Sequence, residues 1–194
     1  MRARRAETAA DEGPYSLPRT VSLDALIEDG SDRRFRALVS NLFTIASRME
    51  LTREHLARRI GISGPQYSLL VAVAHLQGRN GIGVGALAQA LHVSSAFVAT
   101  ETGKLARRGL LIKRINPLDR RGVLLSVAPA GQLSVNRVSR EIRAVNDLFF
   151  GALDSTSFAA LSEAASALIE SSDRAVRHIA SLRAVPQGGL RRTG

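Results

Sequence analysis

The sequence has no cysteine and no tryptophan, and aromatic residues make up only 4% of it. Without cysteine there is no disulfide framework, no zinc–thiolate site and no thiol nucleophile. The four histidines are scattered and form no His-x-x-x-His pair, so a catalytic metal site has no ready ligand spacing. Scarce aromatics argue against a stacking platform for single-stranded nucleic acid. No apolar run approaches the length of a membrane span. The basic start, Met1 to Glu7, has no apolar stretch behind it and does not read as a secretory signal. These absences predict a cytoplasmic protein without membrane contact. An enzyme is not expected either: the carboxylates are dispersed and there is no nucleophile elbow. The Gly78–Gly85 stretch lacks the Lys-Ser/Thr and the preceding strand of a phosphate-binding loop. No cofactor and no metal follow from this reading.

What is present is positive charge. The chain has 27 Lys and Arg against 17 Asp and Glu, a formal net charge of +10. Nearly all of the cations are arginine, whose planar guanidinium suits bidentate phosphate contacts. A polyanion or an anionic surface is therefore the expected partner, leaving duplex DNA, shaped RNA and anionic lipid. At 194 residues the chain suits one domain with tails, large enough to bury a core without staples.

The pattern along the chain is mostly helical. Residues 1–20 and 184–194 lack periodicity and read as tails. The first is either a floppy leader or a basic arm that touches DNA. Ser22 to Glu28 fits a short helix capped by Ser22. From Asp32, Phe35, Leu38, Leu42, Ile45 and Met49 step by three and four, and Gly61 stops a long helix that ends at Ile60. Pro65 suits the first turn of the next helix, Tyr67 to Leu76, which is apolar nearly all round and so predicted to be buried. A glycine-rich connector, Gly78 to Gly85, precedes a short helix over Val84–Leu91. Ser94 suits the cap of a helix running to Arg108, with Gly109 closing it. Two strands, Leu110–Ile115 and Gly122–Val127, flank the polar turn Asn116-Pro-Leu-Asp-Arg-Arg121. After Pro129 a helix is expected with Val138, Ile142, Val145 and Phe149 on one face, up to Gly151. Asp154 or Ser155 caps a last helix. Its Phe158, Leu161, Ala165, Leu168, Ser172, Ala175, Ile179 and Leu182 form a heptad-like seam.

Helix, turn, helix and hairpin over residues 84–127 make a winged helix-turn-helix, a device for reading duplex DNA. The fold class expected is mainly α with a small β-hairpin wing, flanked by long N- and C-terminal helices. Seven cations lie between Lys104 and Arg121 against one acid, Asp119, which supplies most of a phosphate-binding footprint. Arg107 and Arg108 serve equally well as cations at a helix C-terminus. The pair at the hairpin tip, Arg120 and Arg121, has no local acceptor beyond Asp119.

These residues resemble the MarR (multiple antibiotic resistance regulator) family. The resemblance rests on Leu87-Ala-Gln-Ala-Leu-His-Val-Ser-Ser95, on Leu105-Ala-Arg-Arg-Gly-Leu-Leu111 and on the wing. There Pro117, Asp119 and Arg121 fill the family's Asn/Asp-Pro-x-Asp-x-Arg signature, and similarity extends over roughly residues 32–182. It implies a homodimer whose terminal helices interlock, with segments 21–61 and 129–183 dimerising and 62–128 binding duplex DNA. The three apolar stripes outside the winged region, at 35–49, 138–149 and 158–182, ask for partners on their own account. The resemblance further implies that Arg121 enters the minor groove, that an ion pair with Asp119 orients it, and that Arg120 touches phosphate. Arg114 joins them on the wing. On the recognition helix, Ser94 is the cap, and Ser95, Ala96, Thr100 and Lys104 face bases or phosphates. Val98 and Leu105 belong to the core.

The family's members often release DNA on binding a small aromatic or anionic effector. Arg48, Tyr67 and His75 are the candidates here, although a histidine in an apolar stretch is more often a core residue. The thiol switch of some relatives is excluded. Three features depart from the pattern. Gly103 interrupts the recognition helix, Glu101 brings an acid into it that suits Lys104 or Arg107, and Val127-Ala128-Pro129 lacks the family's threonine cap. A ligand-responsive transcriptional regulator, by default a repressor, is the leading expectation. A winged-helix protein- or RNA-interaction module without sequence-specific DNA binding is the alternative.

Overall fold

The computed structural model describes residues 17–184, so nearly all of the two expected tails lies outside the described residues. Within those, the element order is a 3₁₀ turn at Asp24–Leu26, α1 (Arg33–Arg59), α2 (Gly64–Leu76), β1 (Ile82–Gly83), α3 (Val84–Ala90) and α4 (Ser95–Arg107). There follow β2 (Leu111–Ile115), β3 (Val123–Val127), α5 (Pro129–Arg137), α6 (Ser139–Phe150) and α7 (Ser155–Ala184). The chain divides into two compact units, one up to Val138 and one from Ser139 on. No described helix is long and apolar enough to cross a membrane.

In the first unit, α1 runs almost as its periodicity predicts, and Gly61 leaves it at φ +70°, a left-handed geometry that suits a residue without Cβ. Only Leu56 and Ala57, near its end, are buried, where α1 packs on α2. The Asp32 carboxylate stands at the helix start yet does not cap it. It accepts hydrogen bonds from the Thr20 backbone N–H at 2.7 Å and the Thr20 hydroxyl at 2.8 Å, and pairs with Arg36 at 3.0 Å. Thr20, expected in a tail, is thus tied to the helix. The Ser22-capped helix is replaced by the single 3₁₀ turn, entered from Leu23.

At α2, Ser63 and Gln66 form a capping box: the Ser63 hydroxyl accepts the Gln66 N–H, and the Gln66 side chain accepts the Ser63 N–H. Tyr67, Leu69, Leu70 and Val73 are buried, but Val71, Ala74, His75 and Leu76 are exposed, so this helix is covered on one side and not all round. The core joins them to Ile62, Leu87, Val98, Leu105 and Leu125. Burying one such leucine stabilises by about 1.5–3 kcal/mol.

The glycine-rich connector holds a strand that was not expected. Strand β1 pairs antiparallel with β3, Ile82 opposite Leu125 and Gly83 opposite Leu124, giving a three-stranded sheet in the order β1-β3-β2. Gly81, at φ +88°, lies so near the Leu125 carbonyl oxygen that a Cβ there would stand 2.9 Å from it. The helix expected after Pro129 is broken at Val138, which is buried in the first unit instead of extending the stripe of α6. Gly131 explains the docking of α5: an added Cβ would collide with the Leu110 carbonyl oxygen, so backbone packs on backbone.

The second unit is the pair α6 and α7. Asp154 caps α7 by accepting the Ser157 N–H at 2.8 Å, and its own N–H donates to the Ser157 hydroxyl at 3.0 Å. Phe158, Leu161, Leu168, Ile179 and Leu182 of the heptad-like seam are all exposed.

Candidate nucleic-acid interface

The helix-turn-helix is built from local signals. Its turn is closed by Val93 N–H on the Ala88 carbonyl at 3.0 Å, with His92 in the left-handed region at φ +52°. The Ser94 side chain then accepts the Phe97 N–H at 3.2 Å and starts α4. Val98, Thr102 and Leu105 are fully buried and fix the rotation of the helix, as expected of Val98 and Leu105. The Thr102 hydroxyl is satisfied by the Val98 carbonyl at 2.6 Å. The opposite face is therefore solvent-facing, and it carries Ser95, Ala96 and Thr100, all exposed. Ala99, exposed, and Gly103, half-buried, complete the same face; Gly103 was singled out from sequence only as an interruption of the helix, and Ala99 was not singled out. Their spacing of four from Ser95 and Ala99 was the available signal. The outcome is a helix face of very low relief.

Lys104 is also exposed, but it is not free to reach outward. Its ammonium donates to Glu101 Oε1 at 2.6 Å, while Gln66 Nε2 donates to Glu101 Oε2 at 3.0 Å. The hydrogen bond from Lys104, then that from Gln66, hold the Glu101 carboxyl below the usual carboxylate range. Glu101 thus meets Lys104, one of the two partners its position suggested. Arg108 makes a contact that neither of its two readings named: its guanidinium donates to the Gly61 carbonyl at 2.5 Å and ties the end of α4 to the end of α1.

The wing is a tight loop between β2 and β3. These strands pair antiparallel from Leu111 opposite Val127 to Ile115 opposite Val123. Asn116 N–H donates to the Gly122 carbonyl at 2.9 Å, and Gly122 N–H to the Asp119 carbonyl at 2.8 Å. Arg114, Asp119, Arg120 and Arg121 are exposed together on this hairpin. Asp119 orients Arg121 by a different route from the expected ion pair. Its Oδ1 accepts the Arg121 backbone N–H at 3.0 Å, which sets the turn and leaves the guanidinium unpaired among the described residues.

The three effector candidates do not converge. Tyr67 is buried in the core, and burial pushes its phenol above the usual range. His75 is exposed two turns further along α2, and Arg48 is exposed on α1. A cavity of about 570 Å³ in the first unit is lined instead by Ala25, Leu26, Ile27, Glu28, Phe35 and neighbouring residues of α1.

The MarR family profile matches residues 60–122, from the end of α1 through the wing. No curated protein matches the chain. Among solved structures, the S. aureus MepR–DNA complex is similar at 16% identity and TM-score 0.59, over 68% of this chain and 96% of that one. A mutant MarR from E. coli complexed with operator DNA gives 15% identity and TM-score 0.59, over 70% and 95%. The PcaV transcriptional regulator from Streptomyces coelicolor, in complex with its natural ligand, gives 23% identity and TM-score 0.52, over 66% and 90%. The MarR family profile thus fits residues 60–122, and the chain around them has the winged-helix fold of these MarR structures.

Proposed function

We propose that this protein is a homodimeric transcriptional regulator that binds a palindromic duplex DNA site. The observation that carries the reading is the pairing, within one unit, of an exposed low-relief helix face with a rigid cationic wing. Helix α4 offers Ser95, Ala96, Ala99 and Thr100 to base edges in the major groove, and its shallow surface permits close approach. Arg120 and Arg121, without an internal acid, are matched to phosphate and to the minor groove.

The dimer is supported by uncovered apolar surface. Leu38, Leu42, Phe43, Ile45 and Met49 of α1 are exposed, as is the α7 seam. Long apolar stripes of this kind mark association surfaces. A homodimer gives two half-sites and hence an inverted repeat. Two of the similar structures hold DNA and one holds a ligand. Repression relieved by a small aromatic or anionic effector is the form of regulation we infer.

Sedimentation and duplex binding test the reading together. A dimer whose affinity falls linearly with log salt, and falls further in Arg121→Ala, supports it. A monomer, or a chain that retains no duplex, overturns it.

A further inference from the structure

Leu118 stands at the tip of the wing with 95% of its surface exposed, more than any other large apolar residue described. Ile115, at the end of β2 just below it, is 70% exposed. The loop that presents Leu118 is fixed. The Asn116 side chain accepts the Leu118 backbone N–H at 3.0 Å, Pro117 locks its own φ, and the loop is closed by the two backbone bonds to and from Gly122. The hairpin that presents the leucine also carries the exposed cations Lys113, Arg114, Arg120 and Arg121, and the one acid of the loop, Asp119, is turned to the Arg121 backbone.

A rigid apolar tip on a cationic hairpin fits a partner with anionic rims and an apolar interior. Duplex DNA offers that in its minor groove: phosphates line both lips, and deoxyribose carbons and base edges form the walls. Leucine is among the side chains that wedge between base steps there, partly unstacking them. The wing belongs to the same compact unit as α4, whose exposed face suits the adjoining major groove. That juxtaposition favours DNA over a lipid surface, which also pairs anionic rims with an apolar interior.

We infer that Leu118 is a minor-groove wedge: it enters beneath the wing at one base step in each half-site, while Arg120 and Arg121 hold the lips. Because the wedge is paid for by local unstacking, it selects flexible pyrimidine–purine steps at positions no polar side chain reads. This rests on the duplex-binding reading and adds a specificity determinant to it.

The test uses the full chain and a duplex enriched by the unaltered protein from a random pool, with 2-aminopurine placed at successive positions. The expected result is a fluorescence rise at one step per half-site. It disappears in Leu118→Ser and persists in Leu118→Met, which keeps the apolar bulk. Leu118→Ser also weakens binding roughly tenfold, and replacing the flexible step by a stiff one costs affinity in the unaltered protein but not in Leu118→Ser. Far-ultraviolet dichroism and melting of Leu118→Ser match the unaltered protein, as expected for a loop-tip residue. Unchanged fluorescence and affinity in Leu118→Ser overturn the wedge and leave the duplex-binding reading intact. Failure to enrich any duplex overturns both, and so does capture by phosphatidylserine vesicles in place of DNA.

Discussion

Glu101 and Lys104, one turn apart on α4, are joined at 2.6 Å, and the same carboxylate is held from the other side by Gln66 of α2. One of the few cations of α4 is thereby neutralised, and the acid that pairs it is anchored to the capping box of another helix. On the proposed reading, duplex binding leans on the wing more than on α4.

Glu101→Gln keeps a hydrogen-bonding partner for Gln66 and releases Lys104. It should tighten duplex binding severalfold and steepen the salt dependence by close to one counterion, a slope change of about 0.9. The check is a salt titration of both proteins on one duplex.

The same clasp sets a pH expectation. The Glu101 carboxyl is held low by Lys104 first and Gln66 second. A group with a lowered folded pKa contributes its stabilisation above its unfolded value and loses it as pH falls through the folded one. Duplex affinity should therefore not change through Glu101 between about pH 6 and pH 8, both well above the carboxylate range. A change with a midpoint in that window that vanishes in Glu101→Gln contradicts the assignment.

Gly103 interrupts α4 without a packing reason. A Cβ there meets only the end of the flexible Arg107 side chain, at 3.8 Å. Gly103→Ala should stabilise the protein by about 1 kcal/mol through helix propensity. Denaturant midpoints measure this. If the helix face lies close to DNA, the added methyl also weakens duplex binding while stability rises.

Gly131 is the opposite case, since its Cβ position is already taken by the Leu110 carbonyl. Gly131→Ala must push α5 away from the Leu110 backbone and should cost about 1–3 kcal/mol or more. A melting temperature at or above that of the unaltered protein would contradict the close packing.

Much of the winged region was legible because its signals are local. Ser94, Gly109 and the alternation around the wing turn each act within a few residues, and α1 announced itself by steps of three and four. What stayed hidden depends on distant partners. Strand β1 is two residues long and exists only through β3, forty residues on. Nothing near Val138 breaks a helix; the break follows from its burial in the first unit. Asp32 reads as a helix start, but its carboxylate is committed to Thr20, twelve residues earlier. Glu101 has one partner in its own helix, which the sequence suggested, and a second on α2, which it did not.

The Thr20–Asp32 contact is testable alone. Hydrogen bonds from the Thr20 backbone and hydroxyl, with Arg36 nearby, hold the Asp32 carboxyl low, so the tie is complete at neutral pH and fails as pH falls below the carboxylate range. Asp32→Asn should speed tryptic cleavage after Arg19 while duplex affinity stays the same. Equal cleavage rates would show that the carboxylate does not anchor the segment.

The central claim is that two copies of α4 and its wing read duplex DNA. Selection of genomic fragments by the purified protein at physiological salt, repeated with Arg121→Ala, tests it most directly. The account predicts enrichment of one inverted repeat, lost or strongly reduced in the variant. No enriched repeat, or enrichment indifferent to Arg121, would contradict it and favour a winged helix that docks protein or RNA instead.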